Sequence, residues 1–325
     1  MSGFAILFPG QGAQSVGMGR ELASSSPEAQ AVFGRARQAL GFDVARLCFN
    51  GPADELNRTS ICQPAILTVS LAALEAWRAQ GGNRAAVACA GLSLGEYTAL
   101  VYAGSMTFED AVRLVHLRGQ FMEEAGQQNP GGMITLLGLD RERLSDALER
   151  TNEHGLAQAA NLNCPGQIVI AGANSALEWL SQHVKDFGAQ RAIRLKVSGA
   201  FHSKLMGPAS ERLARALQDV AISHPRVPVV SNVTAKYVRD AAEVRGLLVS
   251  QLTSPVLWED SMRFLLAEGV RRFVEVGPGK VLTGLLGRIE ASAKCLNIDS
   301  PAAIAAWAQM EAGTREADRP QIHSV

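Results

Sequence analysis

Residues 85–97 read Ala-Ala-Val-Ala-Cys-Ala-Gly-Leu-Ser-Leu-Gly-Glu-Tyr, and no other stretch restricts the fold as much. The run of small apolar residues predicts a buried strand. It stops at Gly91-Leu92-Ser93-Leu94-Gly95, and Glu96-Tyr97-Thr98-Ala99-Leu100 then predicts a helix start. Strand, glycine-flanked serine and helix make the pattern of a nucleophile elbow. The spacing has a steric reason. A serine in a strained turn needs small neighbours two residues to either side, so that strand and helix can approach each other. Such a turn aims the hydroxyl out of the sheet, over the first N–H groups of the helix. A bare Gly-x-Ser-x-Gly is a common glycine-rich turn; the strand before it and the helix after it favour the nucleophile.

Around that elbow the chain alternates strands with helices. Phe4–Phe8 predicts a first buried strand, closed by Pro9 and the loop Gly10-Gln11-Gly12-Ala13-Gln14. That loop is no dinucleotide fingerprint, because Ser15 stands where the third glycine belongs and no ribose-binding acid follows about 20 residues on. Gly277-Pro278-Gly279-Lys280 is no phosphate loop either, since Val281 occupies the Ser/Thr position. Helices are expected at 27–40, at 64–80 with Pro64 in the first turn, and at 107–125 with Thr107 as cap. From 131 to 197 the order changes to strand, helix, strand, strand, helix, strand, the ferredoxin-like βαββαβ unit. Its strands fall at 133–137, 157–163, 167–171 and 191–197, and its helices at 140–153 and 173–187. Buried strands then return at 227–232, 272–276 and 294–298, with helices at 207–219, 241–251, 258–268 and 279–290. Strand–helix alternation implies a parallel sheet covered on both faces, hence an α/β fold carrying an insertion. The expected domains are 1–129 with 198–300 as one discontinuous catalytic unit, and 130–197 as a small unit. The tail at 301–325 reads as a marginal alanine-rich helix running into a frayed polar end.

Composition excludes several function classes. Lys+Arg and Asp+Glu both number 31, so no net field draws the chain to nucleic acid or to an anionic membrane. No apolar run approaches the ~20 residues of a membrane span, and the N-terminus lacks the features of a signal peptide. Five cysteines are scattered without CxxC spacing, which argues against a metal site or a disulfide framework and for a reducing, cytoplasmic setting.

A serine hydroxyl needs a base. Of six histidines, His202 stands out, in Ser198-Gly199-Ala200-Phe201-His202-Ser203, a loop of small residues just past a strand. No Asp or Glu at a strand end suits the role of orienting its ring, and a backbone or amide oxygen can do so equally well. On the 107–125 helix, Ala111, Val115, Arg118 and Met122 form one stripe. Arg118 either points inward and requires a carboxylate, from protein or ligand, or snorkels outward along its stem.

Taken together, Phe8-Pro9-Gly10-Gln11-Gly12-Ala13-Gln14, Gln63-Pro64-Ala65, Gly91-Leu92-Ser93-Leu94-Gly95-Glu96-Tyr97, Arg118-Gly119, Asn163-Cys164-Pro165-Gly166-Gln167, Ala200-Phe201-His202-Ser203 and Glu275-Val276-Gly277-Pro278-Gly279 closely resemble the malonyl-CoA:acyl carrier protein transacylase family, in order over about residues 3–300. The resemblance implies an α/β-hydrolase-like large domain with a parallel sheet and an inserted ferredoxin-like small domain. It implies ping-pong transfer of malonyl from malonyl-CoA to an acyl carrier protein through a malonyl-serine, with no permanently bound cofactor and no metal. By the same resemblance Ser93 is the nucleophile, His202 the base, and the N–H groups of Gln11 and Leu94 the oxyanion hole. Arg118 clamps the malonyl carboxylate, and the Gln251 carbonyl orients His202. Phe201 matches the malonyl-selecting form of its motif, while Met122 and Gln63 line the pocket. The partners implied are a coenzyme A thioester and an acyl carrier protein, with neither nucleic acid nor membrane. The alternatives are a polyketide-type acyltransferase and a serine thioesterase or esterase. One departure is plain: the family's elbow commonly has His before the serine, where this chain has Leu92, so a less polar pocket is expected.

Overall fold

The computed structural model describes residues 3–82 and 86–317, with side chains to residue 310. The chain opens with β1 (Phe4–Phe8) and passes through α1 (Arg20–Ser25), α2 (Pro27–Leu40), α3 (Val44–Asn50) and α4 (Ala53–Leu56). The long α5 (Thr59–Ala79) follows, then β2 (Ala86–Gly91), α6 (Leu94–Tyr102) and α7 (Phe108–Gln128). A second unit comprises β3 (Gly131–Leu137), α8 (Leu144–Asn152), β4 (Ala157–Cys164), β5 (Gln167–Ala173), α9 (Asn174–His183) and β6 (Arg191–Arg194). The chain resumes with α10 (Gly207–Ala216), β7 (Val229–Val230), α11 (Ala241–Gln251) and α12 (Trp258–Ala267). It ends through β8 (Arg272–Val276), α13 (Val281–Ile289), β9 (Lys294–Ile298) and α14 (Pro301–Ala317).

Two sheets result, one parallel and one antiparallel, in an α/β fold. The first runs β7-β2-β1-β8-β9 with every neighbour parallel. The second runs β4-β5-β3-β6, all antiparallel. Side-chain alternation divides the parallel sheet between two cores. Phe4, Ile6, Phe8 and Cys89 cluster with residues of α2, α5, α6 and α7, whereas Ala5, Leu7, Ala88 and Ala90 cluster with α12 and α13. Burial on both faces explains why these strands are apolar throughout. From β1 the order steps one way to β2 and β7 and the other way to β8 and β9. Ligands bind at such a reversal, beyond the carboxyl ends of the strands.

Several boundaries differ from the sequence expectation. Helix α5 begins at Thr59, so Pro64 lies inside it rather than in its first turn. A proline there leaves the Ser60 carbonyl without its helical donor, and His116 Nδ1 donates to that oxygen at 2.7 Å instead. α5 is also long and apolar enough to cross a membrane, which the expectation of no such run overlooked. Yet 94% of its apolar window is buried inside the fold, as in a core helix. β6 ends at Arg194, although the Leu195 N–H still reaches the Met133 carbonyl of β3 at 2.9 Å, and the side chains of Leu195 and Val197 line a cavity. β7 shrinks to two residues, since Asn232 turns away to hydrogen-bond the elbow. The tail's helix, α14, spans Pro301–Ala317, and the last eight residues of its polar end lie outside the described residues. Ile304 and Trp307 are buried in the main core, and Trp307 meets Trp77 edge-on at 5.1 Å between centroids. Ala85, the expected first residue of the elbow strand, and 318–325, with His323, fall outside the described residues.

Candidate active site

The two elbow glycines are required by contact. A Cβ on Gly91 would lie 1.9 Å from the Gly95 carbonyl carbon, and one on Gly95 would lie 2.1 Å from the Phe8 oxygen. Between them Ser93 adopts φ 52° and ψ −102°, a conformation non-glycine residues avoid. Asn232, just past β7, holds it there. Its Oδ1 accepts from the Ser93 N–H at 2.6 Å, and its Nδ2 donates to the Gly91 carbonyl at 2.7 Å. Leu94 opens α6, so its own N–H has no acceptor within the helix.

Ser93 Oγ lies 2.8 Å from His202 Nε2, although 109 residues separate the two in sequence. His202 Nδ1 donates to the Gln251 carbonyl at 2.7 Å. That bond fixes the tautomer and leaves the Nε2 lone pair facing the serine hydroxyl. Burial, reinforced by the nearby Arg118 charge, pushes the imidazole down to about 4. It is therefore neutral near pH 7.

Arg118 points inward and is 1% exposed, in one buried stripe with Ala111, Val115 and Met122. Burial lowers its pKa from the ordinary arginine range, against the pull of Tyr97 and Glu96. It donates to Gln63 Oε1 at 2.7 Å, to Gln251 Oε1 at 2.9 Å and to Ser93 Oγ at 3.0 Å. All three acceptors are neutral. Among the described residues no carboxylate forms an ion pair with Arg118, and its buried Nε has no partner. Behind it, Gln251 Nε2 donates to Glu96 Oε2 at 2.7 Å. Burial pushes the Glu96 carboxyl up to about 7, with the Asn232 and Gln251 donors opposing.

These groups meet in a cavity of about 110 Å³. Gln11, Leu94, Met122 and Phe201 line it together with Ser93, Arg118 and His202. Gln63 and Gln251 reach it through Arg118. Leu92 adds an apolar wall. Two outer recesses, of about 300 and 530 Å³, share Gln11 and Val197 with the cavity and carry Arg58 and Lys196. Sequence reasoning missed Asn232, the side-chain role of Gln251, and Asn161 on the cavity wall. For Asn232 a signal existed, in that a polar residue directly ends a buried strand. Among the described residues no three His, Cys, Asp or Glu side chains converge as a metal site.

A family profile described as "Acyl transferase domain" matches residues 5–312. The chain belongs to the acyl transferase family. Malonyl CoA-acyl carrier protein transacylase of Salmonella typhimurium is 47% identical to it over 306 residues, covering 94% of this chain and 99% of that protein. The crystal structure of malonyl CoA-acyl carrier protein transacylase from Clostridium perfringens matches with a TM-score of 0.93 at 38% identity, over 98% of this chain and 100% of that one. A malonyl-transacylase in complex with a type II PKS acyl-carrier protein matches with a TM-score of 0.91 at 40% identity, over 95% and 100% of the two chains. In this acyl transferase, then, the serine, the imidazole and the buried guanidinium line one small chamber at the carboxyl edge of the parallel sheet.

Proposed function

We propose that this acyl transferase moves a malonyl group from malonyl-CoA to the phosphopantetheine thiol of an acyl carrier protein, through a malonyl ester of Ser93. The observation carrying this reading is Arg118, a buried cation beside the Ser93–His202 pair whose hydrogen-bond acceptors are all neutral. Burying a guanidinium with no carboxylate hydrogen-bonded directly to it costs several kcal/mol, and the Glu96 carboxyl reaches it only through the Gln251 amide. A malonyl group brings a carboxylate one methylene from the reacting carbonyl, and the guanidinium fork fits a carboxylate bidentately.

The first half-reaction breaks the Ser93 O–H bond. The proton passes to His202 Nε2 as Oγ adds to the thioester carbonyl. Main-chain N–H groups of Leu94 and Gln11 receive the oxyanion, each contributing about 3 kcal/mol in the transition state. The C–S bond then breaks, and Nε2 returns the proton to the departing coenzyme A sulfur. In the second half-reaction the carrier thiol gives its proton to Nε2 and its sulfur adds to the ester carbonyl. The C–O bond to Ser93 breaks as Oγ regains the proton. The Gln251 carbonyl stabilises the imidazolium each time it forms, while Met122 and Phe201 confine the acyl group. Malonyl-CoA is the substrate, and neither half requires a resident cofactor.

The βαββαβ order and strand sequence β4-β5-β3-β6 support a ferredoxin-like description of the second unit. The elbow at the carboxyl edge of the parallel sheet supports an α/β-hydrolase-like description of the first. We divide the chain accordingly into 1–129 with 198–300, 130–197, and a tail at 301–325, and place its work in the cytoplasm. The test is peptide mass spectrometry after exposure to malonyl-CoA. A malonyl adduct on Ser93 is expected, absent in Ser93→Ala and discharged by carrier thiol faster than by water. Discharge that ignores the carrier would make the protein a thioesterase.

A further inference from the structure

Glu96 is a carboxyl group that the reaction above does not use. It is 2% exposed, and one amide separates it from the clamp: Gln251 Nε2 donates to Glu96 at 2.7 Å while Gln251 Oε1 accepts from Arg118 at 2.9 Å. The Asn232 N–H also donates to Glu96 Oε2, at 3.2 Å, and the Ser231 side chain hydrogen-bonds the same carboxyl, so an O–H formed on Oε1 has a hydroxyl oxygen beside it. Tyr97 follows Glu96 on α6, Arg118 comes from α7, and the neutral Gln251 from α11. Ser231 and Asn232 follow β7, and His202 lies across the elbow. Arg118 is the one cation of this set at neutral pH, and Glu96 the one carboxyl, titrating at about 7.

We propose that Glu96 is the counter-charge of Arg118 in the unloaded enzyme, and that loading a malonyl group makes Glu96 take up a proton from solvent. The inference rests on the malonyl reading above. When the acyl carboxylate seats on Arg118, two anions share one buried cation, and a dry site disfavours the extra charge. One proton on Glu96 Oε1 restores neutrality without disturbing Gln251, which donates to Oε2 in either state. The carboxyl is poised for this, since burial holds it at about 7 before loading. His202, at about 4, and Tyr97, at about 12, titrate outside that window. Glu96 thereby acts as a positioning residue that ties preference for acidic acyl groups to pH.

The test compares kcat/KM for malonylation and acetylation of Ser93 by the two coenzyme A thioesters, from about pH 6 to about pH 8.5. Titration of the coenzyme A phosphates is common to both thioesters and cancels in the ratio. The malonyl-to-acetyl ratio is expected to fall roughly three- to tenfold with rising pH in the native protein, and to stay flat in Glu96→Gln. A flat or rising ratio in the native protein, or an undiminished fall in the variant, overturns the proposal. If Glu96→Gln does not fold, calorimetry of native malonylation in two buffers of different ionisation heat decides: net proton uptake supports the proposal, and none overturns it. Absence of any Ser93 adduct at every pH would instead remove the malonyl reading itself.

Discussion

Arg118 donates to the neutral side chains of Gln63, Gln251 and Ser93, and this makes it the residue whose loss should change selectivity rather than chemistry. Arg118→Ala is expected to lower kcat/KM for malonyl-CoA roughly a hundredfold, the worth of charge-assisted hydrogen bonds to one carboxylate. Its activity toward acetyl-CoA should rise relative to that. An acyl-CoA panel read by intact-protein mass checks this, and an unchanged malonyl preference would refute the clamp. A pH profile tests His202. Its imidazole is depressed to about 4, so activity should be lost only as pH falls through about 4 and the base takes up a proton, not at the usual histidine value. An acid limb near 6.5 would mean that the ring is solvated in the working enzyme. Ser93 and His202 were legible because each sits in a local pattern, a glycine-flanked turn and a small-residue loop. Asn232 and the Gln251 side chain were not, because their roles exist only where residues 139 and 158 positions from Ser93 come to meet it.

The elbow's strand and helix are held at a distance only hydrogen atoms can fill. Gly95→Ala would set a methyl 2.1 Å from the Phe8 carbonyl oxygen, with further contacts at 2.9 Å to Phe8 and Pro9 backbone. Backbone cannot yield as a flexible side chain does, so about 3 kcal/mol or more of stability should be lost. Urea unfolding checks this through a lowered midpoint, and Ser93 malonylation should fall with it. An undisturbed midpoint would mean that helix α6 can slide away from β1. Elements with strong periodicity, such as α2 and α7, were readable to within a few residues. The short α1, α3 and α4 were not, since six, seven and four residues are too few for a helical period to register. The start of α5 was hidden for another reason. A proline normally marks a first turn, and only the His116 side chain, from a different helix, makes its interior position tolerable.

At the scale of the whole molecule, α5 links the chamber around Ser93 to α14. Near its start Gln63 holds Arg118; near its finish Trp77 receives Trp307 of α14 edge-on. The separation along the helix is about 20 Å at 1.5 Å per residue. Composition suggested a marginal tail, because alanines bury little area, but Ile304 and Trp307 supply the contact that propensity alone lacks. The described part of the tail is therefore expected to contribute to stability. Trp307→Ala should cost about 3 kcal/mol, near the lower end for a buried tryptophan since the site borders solvent, and lower Tm by several degrees. Malonylation of Ser93 well below that temperature should keep its native kcat/KM, because Gln63 is separated from the lesion by most of a rigid helix. Thermal unfolding and adduct formation measured on the same preparation check both halves. An unchanged Tm would show that α14 merely rests on the core, whereas a matching loss of malonyl selectivity would show that α5 carries the disturbance to Arg118.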